Sequence, residues 1–275
     1  MQIDTEILSR DSYNQPRLFL ILFCVALAVQ LLLGLRQQLR YFQTEPARIY
    51  GPPPRLLGVF ALPSLTTVQF QILGMMFILS LLCAALNLAP RLSLLLALPC
   101  YFLYFNPIMS LAYVQRKTNL IPIVLLVLLF APAIGGPLTQ AGALWPLSLI
   151  KIAVVQMYFS AAAQKLRHTG LRWCNGESLR AYLIEHYLWG DTTHALKLAR
   201  LPRVCAVLSS GILVFEMTFW LVLLWPQLTL PYVVGGIVFH LGTALTMRIN
   251  YLKYLSPVYM VFIFDIASQL RKAWS

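Results

Sequence analysis

Acidic side chains are scarce in this sequence: nine Asp and Glu face 21 Lys and Arg over 275 residues, and charged residues of both signs reach only 11%. A soluble domain carries about 25% charged residues, because its surface must be solvated. A chain with so few charges, 59% hydrophobic and with a mean hydropathy of +0.73, falls outside that class and has lipid against most of its exterior. Period-2 alternation is missing as well. The apolar runs are continuous, so the spanning form is the helix and not the barrel strand.

The signatures of several chemistries are lacking too. There is no CxxC pair, H-E-x-x-H, P-loop or G-x-S-x-G elbow, which leaves no motif for a metal site, a dithiol couple, a phosphate cradle or a serine hydrolase. Four of the five cysteines (Cys24, Cys83, Cys100, Cys205) fall in or beside apolar runs, where thiols act as small hydrophobes; Cys174 alone is in a polar stretch. The net charge of +12 does not indicate nucleic acid, because the cations lie in short connections between apolar runs. That placement is the signature of cytoplasmic loops facing anionic lipid.

A helix needs about 20 apolar residues to cross the hydrocarbon core. Candidate spans are about 18–35, 68–89, 92–114, 118–134, 146–163, 204–225, 231–250 and 254–270. The expected fold is therefore an all-α polytopic bundle of about eight spans, a single transmembrane domain over 1–275, in the inner or plasma membrane if the source is bacterial. Leu18–Leu35 is too long for a cleavable leader and is followed by Arg36 and Arg40, so it reads as a retained first span. Residues 164–203 form the one extended polar stretch, expected to be an amphipathic or re-entrant interfacial segment. Alternate connections collect fifteen cations on one side and five on the other, which places 164–203 in the cytoplasm and both termini outside.

Ionisable residues inside apolar runs are the candidates for chemistry. Lys165 closes the fifth run, and Tyr158 lies seven residues earlier on the same helical face. Small residues between them, Ala161-Ala162-Ala163, would let a helix or a flat ligand approach closely. A lysine there is either a partly desolvated base or a snorkelling interfacial cation beside Arg167 and Arg172. Glu216 and His240 stand in the middle of consecutive runs, where ionisable groups are costly and are paired, functional or both. Antiparallel neighbours would bring these two together. Lys151 and Asp265 are further intramembrane ionisable residues with no evident partner. Sparse intramembrane charge offers little of the polar path that a transporter needs.

The stretch Tyr158…Ala162-Ala163-Gln164-Lys165-Leu166…Trp173…Gly176-Glu177-Ser178-Leu179 resembles the signature of the HTTM superfamily, whose best-known members are vitamin K-dependent γ-carboxylases. Phe215-Glu216 and Phe239-His240, with an aromatic-rich final run, extend that resemblance over roughly residues 60–270. In the carboxylases the lysine matching Lys165 deprotonates vitamin K hydroquinone, and reaction with oxygen gives an alkoxide that removes a carbon-bound proton from glutamate. The resemblance thus implies Lys165 and His240 as catalytic residues. Tyr158, Asn119, Trp173 and Glu216 would line a site for a menaquinol- or phylloquinol-type hydroquinone, with no metal. Asn119 stands where the carboxylases have a second histidine; an amide can hydrogen-bond a quinone oxygen but cannot shuttle protons. No stretch corresponds to the large extramembrane domain of the carboxylases.

Two functions are therefore carried forward. One is a carboxylase- or epoxidase-like membrane enzyme acting on a peptide or protein. The other is a non-catalytic membrane partner in maturation, export or immunity of a secreted peptide or protein, working with a neighbour-encoded protein. Lipid is the expected surrounding in both, and nucleic acid a partner in neither.

Overall fold

The computed structural model describes residues 3–44, 55–56, 60–61, 65–109, 120–132, 134, 144–190 and 193–274. The described residues are helical apart from a minimal antiparallel ladder in which Arg55–Leu56 pairs with Phe60–Ala61. The helices are α1 (Ile3–Thr44), α2 (Thr67–Ala85), α3 (Pro90–Met109), α4 (Leu120–Phe130), α5 (Trp145–Thr169), α6 (Glu177–Gly190), α7 (Thr193–Ala199), α8 (Pro202–Thr218), α9 (Leu221–Leu224), α10 (Thr229–Met247), α11 (Leu252–Tyr259) and α12 (Ile263–Trp274).

Among the described residues, five stretches are long and apolar enough to cross a membrane: Gln15–Leu35, Thr67–Ala85, Trp145–Asn175, Pro202–Leu224 and Pro226–Met247. Pro90–Phe105 and Leu120–Phe130 are shorter apolar helices. Their outward faces carry the residues a soluble protein would hide, with Leu33 74%, Val207 72% and Leu245 70% exposed. Such surfaces are stable only against lipid or protein, so this is the exterior of a membrane protein. The expected final run is broken: α11 gives way at Met260–Phe262 to a 3-10 turn before α12 begins.

The chain forms two compact units. The first comprises Met1–Ile150 with Tyr254–Val261. In it α2 packs against α1 and α3, and α3 against α4. Thr66 and Gln69 form a capping box that starts α2, each side chain bonded to the other residue's backbone N–H. Aromatic rings fill the α2–α3 seam: Phe70 stacks on Tyr104 at 4.6 Å, and Phe77 meets Tyr101 and Phe105 edge-on. Gln30 Nε2 donates to Ser256 Oγ at 2.9 Å inside the first span, while its buried Oε1 has no partner among the described residues.

The second unit is Lys151–Lys253 with Phe262–Ser275. The polar stretch after α5 folds back on α8. A 3-10 turn, Gly170–Asn175, ends at Gly176, whose left-handed backbone (φ +81°) closes the turn. Asn175 Oδ1 then accepts the Glu177 N–H at 2.9 Å and starts α6. Leu179 and Leu183 of α6 pack on Ala195 and Ala199 of α7 and Cys205 of α8, so the apolar face of α6 is spent on protein, while Tyr182 is 47% exposed. Arg180 Nε donates to the Ala199 carbonyl at 2.9 Å and covers the end of α7. In the sequence, Gly190-Asp191-Thr192-Thr193 reads as a break and N-cap for a helix beginning near His194; α7 begins at Thr193, and Asp191 and Thr192 lie outside the described residues.

A Cβ at Gly176 would lie 2.4 Å from the Ala206 nitrogen, so only glycine lets this turn touch the α8 backbone. Gly176→Ala is expected to destabilise by about 3 kcal/mol, combining left-handed strain with backbone overlap. Gly211→Ala, whose Cβ would meet nothing within 4 Å, should be neutral or slightly stabilising. Thermal unfolding of the two variants in detergent micelles compares them; equal melting points would refute the close-approach account.

Candidate functional site

Helix α5 places Lys151, Tyr158 and Lys165 at seven-residue intervals. Seven residues are nearly two turns, so the three side chains share one face of the helix. Each finds a partner on a different helix. Lys151 Nζ donates to Asp265 Oδ1 of α12 at 2.7 Å. The Tyr158 hydroxyl and His240 Nε2 of α10 share a hydrogen bond of 2.6 Å. Lys165 Nζ donates to both carboxylate oxygens of Glu216 on α8.

The sequence suggested that Glu216 would meet His240. The structure brings each of them to α5 instead, where a donor of suitable length already stands. The antiparallel neighbours α8 and α10 are joined by aromatic contact between Phe215 and Tyr232, stacked at 5.7 Å, and between Phe215 and Phe239. Lys151 and Asp265, left without partners by the sequence, turn out to be partners of each other.

Burial varies along this face. Tyr158 and His240 are 2% and 4% exposed, whereas the Lys151 and Asp265 side chains retain 18% and 22% of their surface. Lys165 retains 19% and Glu216 4%. A carboxylate so enclosed needs a cation and good geometry, because removing its hydration costs several kcal/mol. Tyr158 is fixed by stacking on Phe219 at 4.4 Å and by Phe215 edge-on at 5.5 Å. His240 is flanked by Phe239 and Tyr251, with ring centroids at 4.9 and 5.3 Å.

Trp173 lies beside Lys165, its ring centroid 5.4 Å from Nζ, within cation–π range. It packs with Ala162 and Leu213, and the small Ala162 is what admits the indole next to α5. The indole Nε1–H is buried and has no hydrogen-bond partner among the described residues. Such a donor is costly to leave unmet, and so marks a place where an acceptor from outside the chain is favoured. On the side of Trp173 and Tyr182, a cleft of about 310 Å³ is bounded by Thr169, Ser178, Ala181 and Glu185. Neither Lys165 nor His240 is among its lining residues.

The structure thus gathers Lys165, Glu216 and Trp173 in one cluster and Tyr158 with His240 in a second, deeper one. Asn119 lies outside the described residues. Among the described residues, no three His, Cys, Asp or Glu side chains are close enough to hold a metal ion. The Lys151–Asp265 pair escaped sequence reasoning, although its signal was present: Lys151 precedes Tyr158 by the same seven residues that separate Tyr158 from Lys165. Compared with known proteins, the chain matches no protein-family model, no curated protein and no solved structure.

Removing one member of the Lys165–Glu216 pair leaves the other charge buried alone. Lys165→Met and Glu216→Met are each expected to lose about 3–5 kcal/mol, and the double variant to recover most of it. Denaturant unfolding in micelles of the four proteins closes this cycle; additive losses would show that the two side chains act independently.

Proposed function

We propose that the chain is a polytopic membrane enzyme of the HTTM kind, with about eight spans, that uses an isoprenoid hydroquinone of the vitamin K type with Lys165 as base. The observation that carries this reading is the Lys165–Glu216 pair held beside Trp173, whose buried indole N–H has no partner among the described residues. An eight-span reading would add the shorter apolar helices Pro90–Phe105 and Leu120–Phe130 and the α11–α12 segment to the five long stretches.

The donor set suits a menaquinol or phylloquinol head group. Trp173 Nε1 would donate to a ring oxygen, and the indole face offers a flat apolar wall. Bound hydroquinone supplies, with oxygen, a base strong enough to remove a carbon-bound proton. Lys165 must present a neutral amine to take a phenolic proton. Glu216 provides for that, because moving the pair's proton from Nζ to a carboxylate oxygen leaves an uncharged amine and an uncharged acid in a low-dielectric surrounding. Tyr158 and His240, deeper on the same face, hold a second exchangeable proton. Leu171, 78% exposed in the same turn as Trp173, would keep this end of the cluster against lipid, where an isoprenoid tail resides. A peptide or protein glutamate is the acceptor that the resemblance implies.

The bidentate Lys165–Glu216 contact also favours a second reading. A lysine whose amine is engaged by both oxygens serves well as a pin between α5 and α8, and the chain would then be a non-catalytic membrane partner in maturation, export or immunity of a secreted peptide. The two readings separate in one experiment. Purified protein is supplied with chemically reduced menaquinone in micelles, and oxygen uptake is followed with an electrode. The enzyme reading expects uptake above the protein-free rate and a loss of about 100-fold or more in Lys165→Ala and in the stability-matched Lys165→Met/Glu216→Met variant. Uptake that ignores these changes sinks it. Stable co-purification with a neighbour-encoded protein, unaffected by Lys165→Ala, supports the partner reading.

A further inference from the structure

The three polar pairs on α5 are spaced along nearly the whole thickness of a bilayer. From Lys151 to Lys165 the helix axis advances about 21 Å, against a hydrocarbon core of about 30 Å. Lys151 lies near the start of α5 and Lys165 near its end, so the outer pairs approach opposite faces of the membrane, with Tyr158 midway. Lys151, Asp265 and Lys165 keep partial access toward the two ends, while Tyr158, His240 and also Glu216 are closed.

Every group on this line carries an exchangeable proton: amine and carboxylate, phenol and imidazole, amine and carboxylate. Chains of Asp, Glu and His are the usual composition of intramembrane proton relays, and a phenol hydrogen-bonded to an imidazole can extend one. Pins alone would be made more cheaply by apolar packing, because every charged side chain near the helix centre costs about 2.5–3.5 kcal/mol to insert. Three pairs in one register, joining α5 to α12, α10 and α8, are a large outlay for a purely mechanical role.

We propose that α5 carries a proton path across the membrane, from Lys151–Asp265 through Tyr158–His240 to Lys165–Glu216. A proton taken up at the Asp265 carboxylate passes to the Tyr158–His240 pair, where the imidazole accepts it on one nitrogen as the phenol relays another. It reaches the buried Glu216 carboxylate as the more accessible Lys165 releases its own proton to the outside; Glu216 then re-protonates the amine, and the chain returns to its starting protonation. Neighbouring pairs stand about 10 Å apart along the axis, too far for direct transfer, so water completes each step. Long lysine stems cover part of both gaps. Between Tyr158 and Lys165 stand the partly buried Ala161 and the fully buried Ala162, which packs on Trp173 and Leu213. Between Lys151 and Tyr158 stand the buried Val154 and Val155, which make that half the narrower one. The path owes nothing to hydroquinone chemistry and operates without it.

The test is proton flux into liposomes that contain the purified protein, a trapped pH-sensitive dye and a potassium gradient clamped with valinomycin, with no quinone present. Wild-type vesicles should acidify faster than protein-free vesicles. Tyr158→Phe keeps the ring on Phe219 and should stay folded with a melting point only a few degrees lower for the lost bond to His240, yet it removes the hydroxyl and should cut the flux by at least about tenfold. His240→Leu and Asp265→Asn should do the same. Wild-type flux equal to that of empty vesicles overturns the proposal, and so does a Tyr158→Phe protein that conducts like the wild type, since the three pairs would then be mechanical only. Failure here leaves oxygen uptake in the quinol assay untouched, and the reverse holds as well.

Discussion

Inside hydrocarbon a polar side chain cannot fall back on water, so it must find its partner within the protein. The polar face of α5 is organised by that requirement. Lys151, Tyr158 and Lys165 would each be prohibitive alone, and each is matched by a residue from a different helix. The positions of α8, α10 and α12 around α5 follow from these three demands more than from apolar contact, which in lipid has little power to choose between neighbours. Aromatic packing then sets the fine geometry, with Phe215 and Phe219 fixing the ring of Tyr158 on two sides.

The polar stretch after α5 serves the same arrangement from outside. Gly176 allows the 3-10 turn to lie directly on the α8 backbone, and that contact seats Trp173 against Leu213 and beside Lys165. The indole therefore depends on a glycine three residues away for its position, and Lys165 depends on the indole for one wall of its surroundings. The motif Trp173-Cys174-Asn175-Gly176 has a structural content in which each part is used: aromatic wall, turn, cap for α6 and close approach. A resemblance built on these residues is thus partly a resemblance of backbone geometry, and chemistry has to be argued from Lys165 and its neighbours.

Much of this was legible in the sequence and some was not. Apolar run length located the five long stretches, because hydropathy decides what can enter lipid, but not their ends: α1 runs Ile3–Thr44 against an expected 18–35, and α5 continues to Thr169 against an expected 163. It failed at the last run, where the helix breaks at Met260–Phe262, and it did not delimit the short helices α6 and α7. Tyr158, Lys165, Glu216 and His240 stood out as polar residues in apolar surroundings. Their pairing did not, since it depends on which helix faces which, and sequence adjacency suggested Glu216 with His240. The seven-residue repeat was the better guide, because residues on one helical face must be satisfied from the same side. Trp173 was visible as a motif residue, but the burial of its N–H follows from the path of a turn that sequence does not specify.

The repeat along α5 has one more consequence. A heptad falls short of two full turns by about 20°, so the line from Lys151 to Lys165 drifts slowly around the helix, which is how three successive positions can address three separate neighbours. Such a helix counts residues. One extra residue anywhere between Lys151 and Lys165 would turn everything beyond it by about 100° and push a polar group toward lipid. Evolution can trade side chains along this helix in compensating pairs, but it cannot change the number of residues between them. The length of this segment is thus under tighter constraint than the identity of most residues in it.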